Sequence, residues 1–285
     1  MNEAPSHSRA WRRFRRSRSA WIGASLVGLF VFAAIAAEFV APYAPQGAEG
    51  RSGAALARPS ADHWLGTDLD EYDVFSRMVH GSRLSLLAGI VSVSIAIAIG
   101  GPAGAVAGYF GGWTDTLVMR AIDVLLTFPG ILVAMLVVVS IGPSWEGVML
   151  AVGLINIPVF CRQVRATVLT VRNLEYVDAA RAVGASTPYI LTRVIFPSLI
   201  NPIVVLGTLG LGTAILEVAG LSFLGVAGEM DAAEWGSMLS EAKDHLSTTI
   251  WPAVAPGVAI SLTVVGFNLL GDGLRDALDP HLEGK

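Results

Sequence analysis

Apolar residues gather in six runs, near residues 21–40, 84–109, 117–141, 148–161, 199–219 and 252–270. About 20 such residues cross a hydrocarbon core of about 30 Å as a helix. The pattern therefore predicts an all-α, polytopic membrane protein with about six transmembrane helices. The fourth run is the shortest and carries Asn156 and Pro158; backbone freed by that proline must be satisfied by protein or water, not lipid. Between the fourth and fifth runs lies a charged, helix-forming insert from Glu175 to Gly184, continued to Pro197. It is too polar for lipid, so it is expected as a helical knob presented to something soluble.

The positions of the cations set the expected orientation. With the N-terminus inside, the inner segments hold 14 of the 19 lysines and arginines, and the outer ones keep Arg51, Arg58, Arg77, Arg83 and Lys243. Cytoplasmic loops carry such an excess, which puts both termini and the insert on the cytoplasmic side. The expected organisation is a basic cytoplasmic segment at 1–20, a first membrane helix at 21–40 and an extracytoplasmic segment at 41–83. A core membrane domain at 84–271 follows, with a cytoplasmic loop at 162–197, and then a cytoplasmic tail at 272–285. The apolar run after the first arginines is longer than the h-region of a secretory signal, about 7–15 residues, so an uncleaved anchor is expected. The arginines themselves are expected on anionic membrane lipid, with no nucleic-acid role.

Two outer segments are longer than turns. In the first, Val74, Met78 and Val79 share a helix face while Asp73, Arg77 and Arg83 take water, the pattern of an interfacial helix. The second carries Glu229, Asp231, Glu234, Glu241 and Asp244 against one lysine. It reads either as a solvated loop or as a docking rim for an extracytoplasmic partner. Gly100, Gly104 and Gly108 recur every four residues in the second run, a strip that lets another helix backbone come close.

Composition agrees. Hydrophobic residues make up 53% and charged residues 15%, where soluble domains hold about 25% charged, and mean hydropathy is +0.61. Cys161 is the only cysteine, so no intramolecular disulfide forms. His7, His63, His80, His245 and His281 are scattered, without the helical spacing of a zinc site. A phosphate-cradling loop needs glycines followed by Gly-Lys-Ser/Thr; the lysines, Lys243 and Lys285, lack that context. The chain is therefore not expected to hydrolyse ATP or to hold a cofactor or metal. Intramembrane polar groups mark pathways by default, which makes Asn156, Glu217 and Asn268 the candidates; Glu217, near an outer end, reads either as a satisfied interfacial carboxylate or as a group placed to meet an amine or a cation.

Within the insert, Glu175 and Asp178 lie at the helix start, where the dipole favours anions. Ala179, Ala180 and Ala182 keep the surface low, and Gly184 is placed for a left-handed cap. A second short helix is expected from Thr187-Pro188, with Pro197 punctuating the start of the fifth membrane helix. The insert resembles the cytoplasmic coupling motif of ATP-binding-cassette importer permeases. There, a glutamate-alanine-alanine triplet is followed after three residues by glycine, and later by an isoleucine-x-leucine-proline ending. This chain has Asp178-Ala179-Ala180, Gly184 and Val194-Ile195-Phe196-Pro197.

Other segments resemble the dipeptide, oligopeptide and nickel branch of that family, and most of all the second permease subunit of its pairs. They include His63-Trp64-Leu65-Gly66-Thr67-Asp68, Tyr109-Phe110-Gly111-Gly112-Trp113, Gly220-Leu221-Ser222-Phe223-Leu224-Gly225 and the run from Asn268 to Pro280. Where that branch has glycine-arginine before Asp73, this chain has Glu71-Tyr72.

The resemblance implies coupling to separate ATPase subunits through Glu175, Tyr176, Asp178, Ala179, Ala180, Arg181, Gly184 and Pro197. It also implies a second permease subunit, two ATPases that bind ATP and Mg2+, and an extracytoplasmic solute-binding protein. The competing reading is a secondary transporter or channel with no ATPase partner. It would be expected to show internal repeats or broken helices with buried charge pairs.

Overall fold

The structure is a computed structural model, and it describes residues 11–15, 17–226 and 232–278. Five helices are long and apolar enough to cross a membrane, and a sixth crossing is counted if one bent pair forms a single span. In order they are α1 (Arg18–Ile35), α2 (Val74–Phe110), the pair α3 (Gly112–Thr127) and α4 (Gly130–Ile141), and α5 (Trp145–Val171). The short α6 (Glu175–Ala182) follows, then α7 (Phe196–Phe223), the short α8 (Trp235–Ala242) and α9 (Trp251–Leu278).

Several helices differ in extent from the apolar runs, each for a local reason. Helix α2 starts at Asp73, whose side chain accepts from the Ser76 backbone N–H at 2.8 Å. It runs unbroken to Gly111, where φ is +65°. Residues 74–83, expected as a separate interfacial helix, are therefore the first turns of α2. Its 37 residues extend about 55 Å at 1.5 Å each, well beyond a hydrocarbon core. Helix α5 likewise continues ten residues past the apolar run that ends at Cys161. The arginines of α5 and its C-cap have partners on α3 and α2: Arg162 bonds Asp123 at 2.7 Å, Arg165 grips Asp115, and Arg172 donates to the Gly108 carbonyl at 2.6 Å.

The third run is not one straight helix. Pro129 has no N–H to give, and the residue before a proline is driven out of the helical region; Phe128 sits at φ −103°, ψ 148°. As a result α3 and α4 meet at 90°. Pro197 stands in the first turn of α7, as expected, but without a break in the helix before it. The segment from Thr187 to Phe223 is one continuous helix, widened over Ile190–Ile195 into a π turn in which the Phe196 N–H reaches the Leu191 carbonyl. The proline's missing donor is absorbed by that wider turn, a feature that often marks functional segments.

Packing runs through small residues. A methyl placed at Gly104 would meet the Cys161 carbonyl and lie 3.1 Å from the Arg165 nitrogen; at Gly100 and Gly108 it would lie 2.7 and 2.9 Å from the Ile157 and Arg165 carbonyl oxygens. The glycine strip is thus the α2–α5 seam. Helix α1 packs on α9 in the same way, Gly23 facing the backbone of Gly266 to Leu270 and Gly273 facing Ala20. Helix α8 caps one end of the bundle through fully buried Trp235, edge-on to Phe30 with ring centroids 5.4 Å apart. Meanwhile Phe32, Leu117, Leu136 and Val139 stay exposed on α1, α3 and α4, an inverted face that lipid or another subunit must cover.

Replacing Gly104 by leucine is expected to force the α2–α5 seam apart, at a cost of about 1–3 kcal/mol. This would be read as a lower unfolding midpoint in detergent. Gly28→Leu, where a side chain meets nothing within 4 Å, should leave the midpoint in place.

Candidate functional site

The α6 end is built around one side chain. Helix α6 exposes Glu175, Tyr176, Asp178, Ala179 and Arg181, leaves Ala180 half-buried, and buries Val177 completely. Val177 enters a cluster made by Val164, Val168 and Val171 of α5 with Ile190, Ile195 and Leu199 on the way into α7. The acidic residues sit in its first turn and Arg181 in its last, which matches the helix dipole.

The C-terminus closes as a Schellman motif. The Ala185 N–H bonds the Ala180 carbonyl at 3.1 Å and the Gly184 N–H bonds the Arg181 carbonyl at 2.9 Å, with Gly184 at φ +81°. Only glycine takes that conformation freely. Two side chains tie the knob to the membrane helices: Tyr176 Oη lies 3.2 Å from Ser198 Oγ, and Arg181 lies over the Tyr109 ring at 5.5 Å. Arg181 also donates to Asp178 at 3.0 Å. Pro197 is exposed, just after the π turn. Sequence reasoning passed over Val177, although it is the apolar residue of α6 whose spacing faces the α5 cluster.

Of the three polar candidates in the spans, two come together. Asn156 on α5 donates to the Val152 carbonyl at 2.9 Å and to Glu217 Oε2 on α7 at 2.6 Å. Asn268 is exposed on α9, and among the described residues no hydrogen bond links it to the pair.

The opposite end is a closed ionic structure. Arg77, 1% exposed, donates to Asp68 at 2.5 Å and to both oxygens of Glu241 at 2.7 and 3.2 Å. Its guanidinium lies 5.4 Å from the Tyr72 ring centroid. Burial raises the Glu241 carboxyl above its ordinary value, opposed by hydrogen bonds from Arg77, while a hydrogen bond from Arg83 lowers Glu38. Glu234, fully buried, accepts from Ser85 at 3.1 Å and caps α8 through the Ser237 N–H at 2.9 Å. Two carboxylates expected on an acidic outer rim are thus interior partners; Glu229 and Asp231 of that rim lie outside the described residues.

Glu71 has φ +70°, which explains why glycine is expected there. Tyr72 fills the arginine position with a buried ring, and its hydroxyl accepts from the Gly47 N–H at 3.2 Å.

The geometry is that of a membrane-embedded helical bundle with a knob fused to the spans at one end and a closed ionic cap at the other. Residues 100–284 match the family described as the binding-protein-dependent transport system inner membrane component, and residues 8–59 match the N-terminal TM domain of oligopeptide transport permease C. The chain belongs to that family and is a multi-pass membrane permease, a transport component.

Its relatives include the dipeptide transport system permease protein DppC of Alkalihalophilus pseudofirmus, 40% identical over 96% of this chain and 90% of that protein. Another is the glutathione transport system permease protein GsiD of Escherichia coli, 44% identical over 96% and 90%. The fold is shared with a chain of the inward-facing MetNI methionine ABC transporter, at TM-score 0.60 and 19% identity over 71% of this chain and 96% of that one.

Arg77→Met is expected to destabilise by about 3–5 kcal/mol, since it leaves buried carboxylates unpaired. The triple replacement Arg77→Met, Asp68→Asn, Glu241→Gln should recover much of the loss in detergent unfolding.

Proposed function

We propose that the chain is one of two permease subunits of an ATP-driven importer of small peptides, working by alternating access with two ATPase subunits below it and a solute-binding protein outside. The α6 end is cytoplasmic in this reading, and so are both termini, in keeping with the side that carries most of the arginines. ATP and Mg2+ belong to the ATPase subunits. The observation that carries the reading is α6 itself: a short helix with a polar, low face turned outward and a single buried valine fixed between α5 and the start of α7.

Such a helix transmits displacement. A cleft on an ATPase that grips Glu175, Tyr176, Asp178, Ala179 and Ala180 moves α6 when the ATPase pair closes on ATP. Val177 passes the movement to Val164, Val168 and Ile195, and the Gly184 cap fixes the angle at which the chain turns back toward α7. A ligand-driven change requires an element that both sites bias; α6 and the π turn Ile190–Ile195 are that element. An apolar groove of about 410 Å3, lined among others by Gly101, Pro102, Leu191, Ile195 and Phe196, lies against the π turn and gives it room to shift.

The solute class is supported by relatives named for dipeptides and glutathione, both small zwitterions. The two differ in size, so a short peptide or peptide-like molecule is the fitting cargo.

Gly184→Val strains the cap by about 1–2 kcal/mol, the penalty of a left-handed side chain. Val177→Asp puts a charge into the apolar junction. In vesicles holding the complete transporter, both are expected to cut ATP-driven peptide uptake more than about tenfold, a change of at least 1.4 kcal/mol in the coupled step. Uptake at the unsubstituted rate in both variants would remove α6 from the coupling path.

A further inference from the structure

Glu217 lies inside α7, six residues before the helix ends at Phe223, which is about 9 Å along its axis. Several charged residues around α5 are matched by opposite charges: Arg162 by Asp123, Arg165 by Asp115, Arg83 by Glu38. Among the described residues no cation pairs with Glu217. One oxygen, Oε2, is held by Asn156 at 2.6 Å, and both amide hydrogens of Asn156 are then used, the second on the Val152 carbonyl. The other oxygen, Oε1, has no hydrogen-bond partner among the described residues and is not sealed in the interior.

The face of α7 around it is open and low. Thr213, one turn before, is exposed, and a Cβ placed at Gly220, one turn after, would meet nothing within 4 Å. Residues four before and three after share a helix face, so Thr213, Glu217 and Gly220 form a polar, uncrowded strip. A carboxylate kept in a membrane helix without a cation is costly and calls for a partner.

We propose that Glu217, steadied by Asn156, is the pathway site that receives the α-ammonium group of the transported peptide. The inference rests on the peptide-import reading above and deepens it. A primary ammonium brings the missing positive charge and three N–H donors. Oε1 takes one of them as a charge-assisted hydrogen bond, the stronger kind. The remaining donors face the open strip, where water and the Thr213 hydroxyl can accept. Dipeptides and glutathione both carry a free α-ammonium, so the site would serve either cargo without reading side chains. The same chemistry could come from a lysine or arginine of the second permease subunit, and the experiment separates the two.

The complete transporter, with its binding protein, is reconstituted in vesicles and supplied with two probes: dialanine, and propionyl-alanine, which lacks the amine. Each is presented at saturating occupancy of the binding protein, so that the ratio of uptake rates reports the permease step. In the unsubstituted complex dialanine is expected to enter faster. Glu217→Gln is expected to lower the dialanine to propionyl-alanine ratio about tenfold, a 1.4 kcal/mol loss of preference, with Glu217→Asp retaining most of the ratio.

An unchanged ratio in Glu217→Gln overturns the assignment. So does loss of the second permease subunit from the purified Glu217→Gln complex but not from Glu217→Asp, since the cation would then belong to that subunit. If the unsubstituted complex accumulates neither probe with ATP, the import reading itself fails, a result distinct from a lost ratio.

Discussion

The backbones of α2 and α5 meet along Gly100, Gly104 and Gly108, where α2 carries no side chain on that face for about two turns. Lipid offers helices no hydrophobic drive to associate, so close van der Waals approach through small residues takes its place. The seam ends where Arg172 of α5 reaches the carbonyls of Gly108 and Tyr109 on α2. Tyr109 in turn lies under Arg181 of α6, and Val168 at the same level receives Val177. A rigid pair of membrane helices therefore becomes a rigid seat for a soluble-facing helix. Were α2 and α5 loosely packed, a push on α6 would be lost in side-chain rearrangement.

The two ends of the bundle handle charge in opposite ways. At the α8 end, Arg77, Asp68, Glu241 and Glu234 are turned inward, so that each carboxylate has a donor and the loops close over them. Removing one partner from a buried ion network leaves an uncompensated charge, so the cap's members depend on one another. At the α6 end the charges of Glu175, Asp178 and Arg181 stay on the surface, available to another protein. Between these ends, Glu217 is half-buried and has no cation among the described residues.

Much of this was legible in the chain. The apolar runs gave the helices because length and hydropathy constrain a membrane crossing strongly. The glycine period gave the α2–α5 seam, and Asp178-Ala179-Ala180 with Gly184 gave α6 and its cap. What was not legible depended on contacts between distant segments. The pairing of Arg77 with Glu241 joins residues 164 apart in sequence, so Glu241 looked like a rim charge and Arg77 like a water-facing one. The juncture of Asn156 with Glu217 is equally non-local. Proline signals were legible but ambiguous: Pro129 broke its helix and bent it by 90°, while Pro197 was absorbed into a π turn. Which outcome follows depends on whether the preceding residue is held helical by its neighbours. Phe128 is extended at φ −103°, ψ 148°, whereas Phe196 is helical at φ −52°, ψ −40° and follows Ile195, which is buried in the Val177 cluster.

The central claim is that α6 is the surface an ATPase subunit grips from the cytoplasm. It is tested most directly by placing a photo-crosslinking residue at Ala179 in cells that make the whole transporter and identifying what is captured on illumination. The account predicts a single major product containing an ATPase subunit, with no labelling by reagents confined to the outside of the cell. Capture of the external solute-binding protein, or labelling of position 179 from outside, would contradict it.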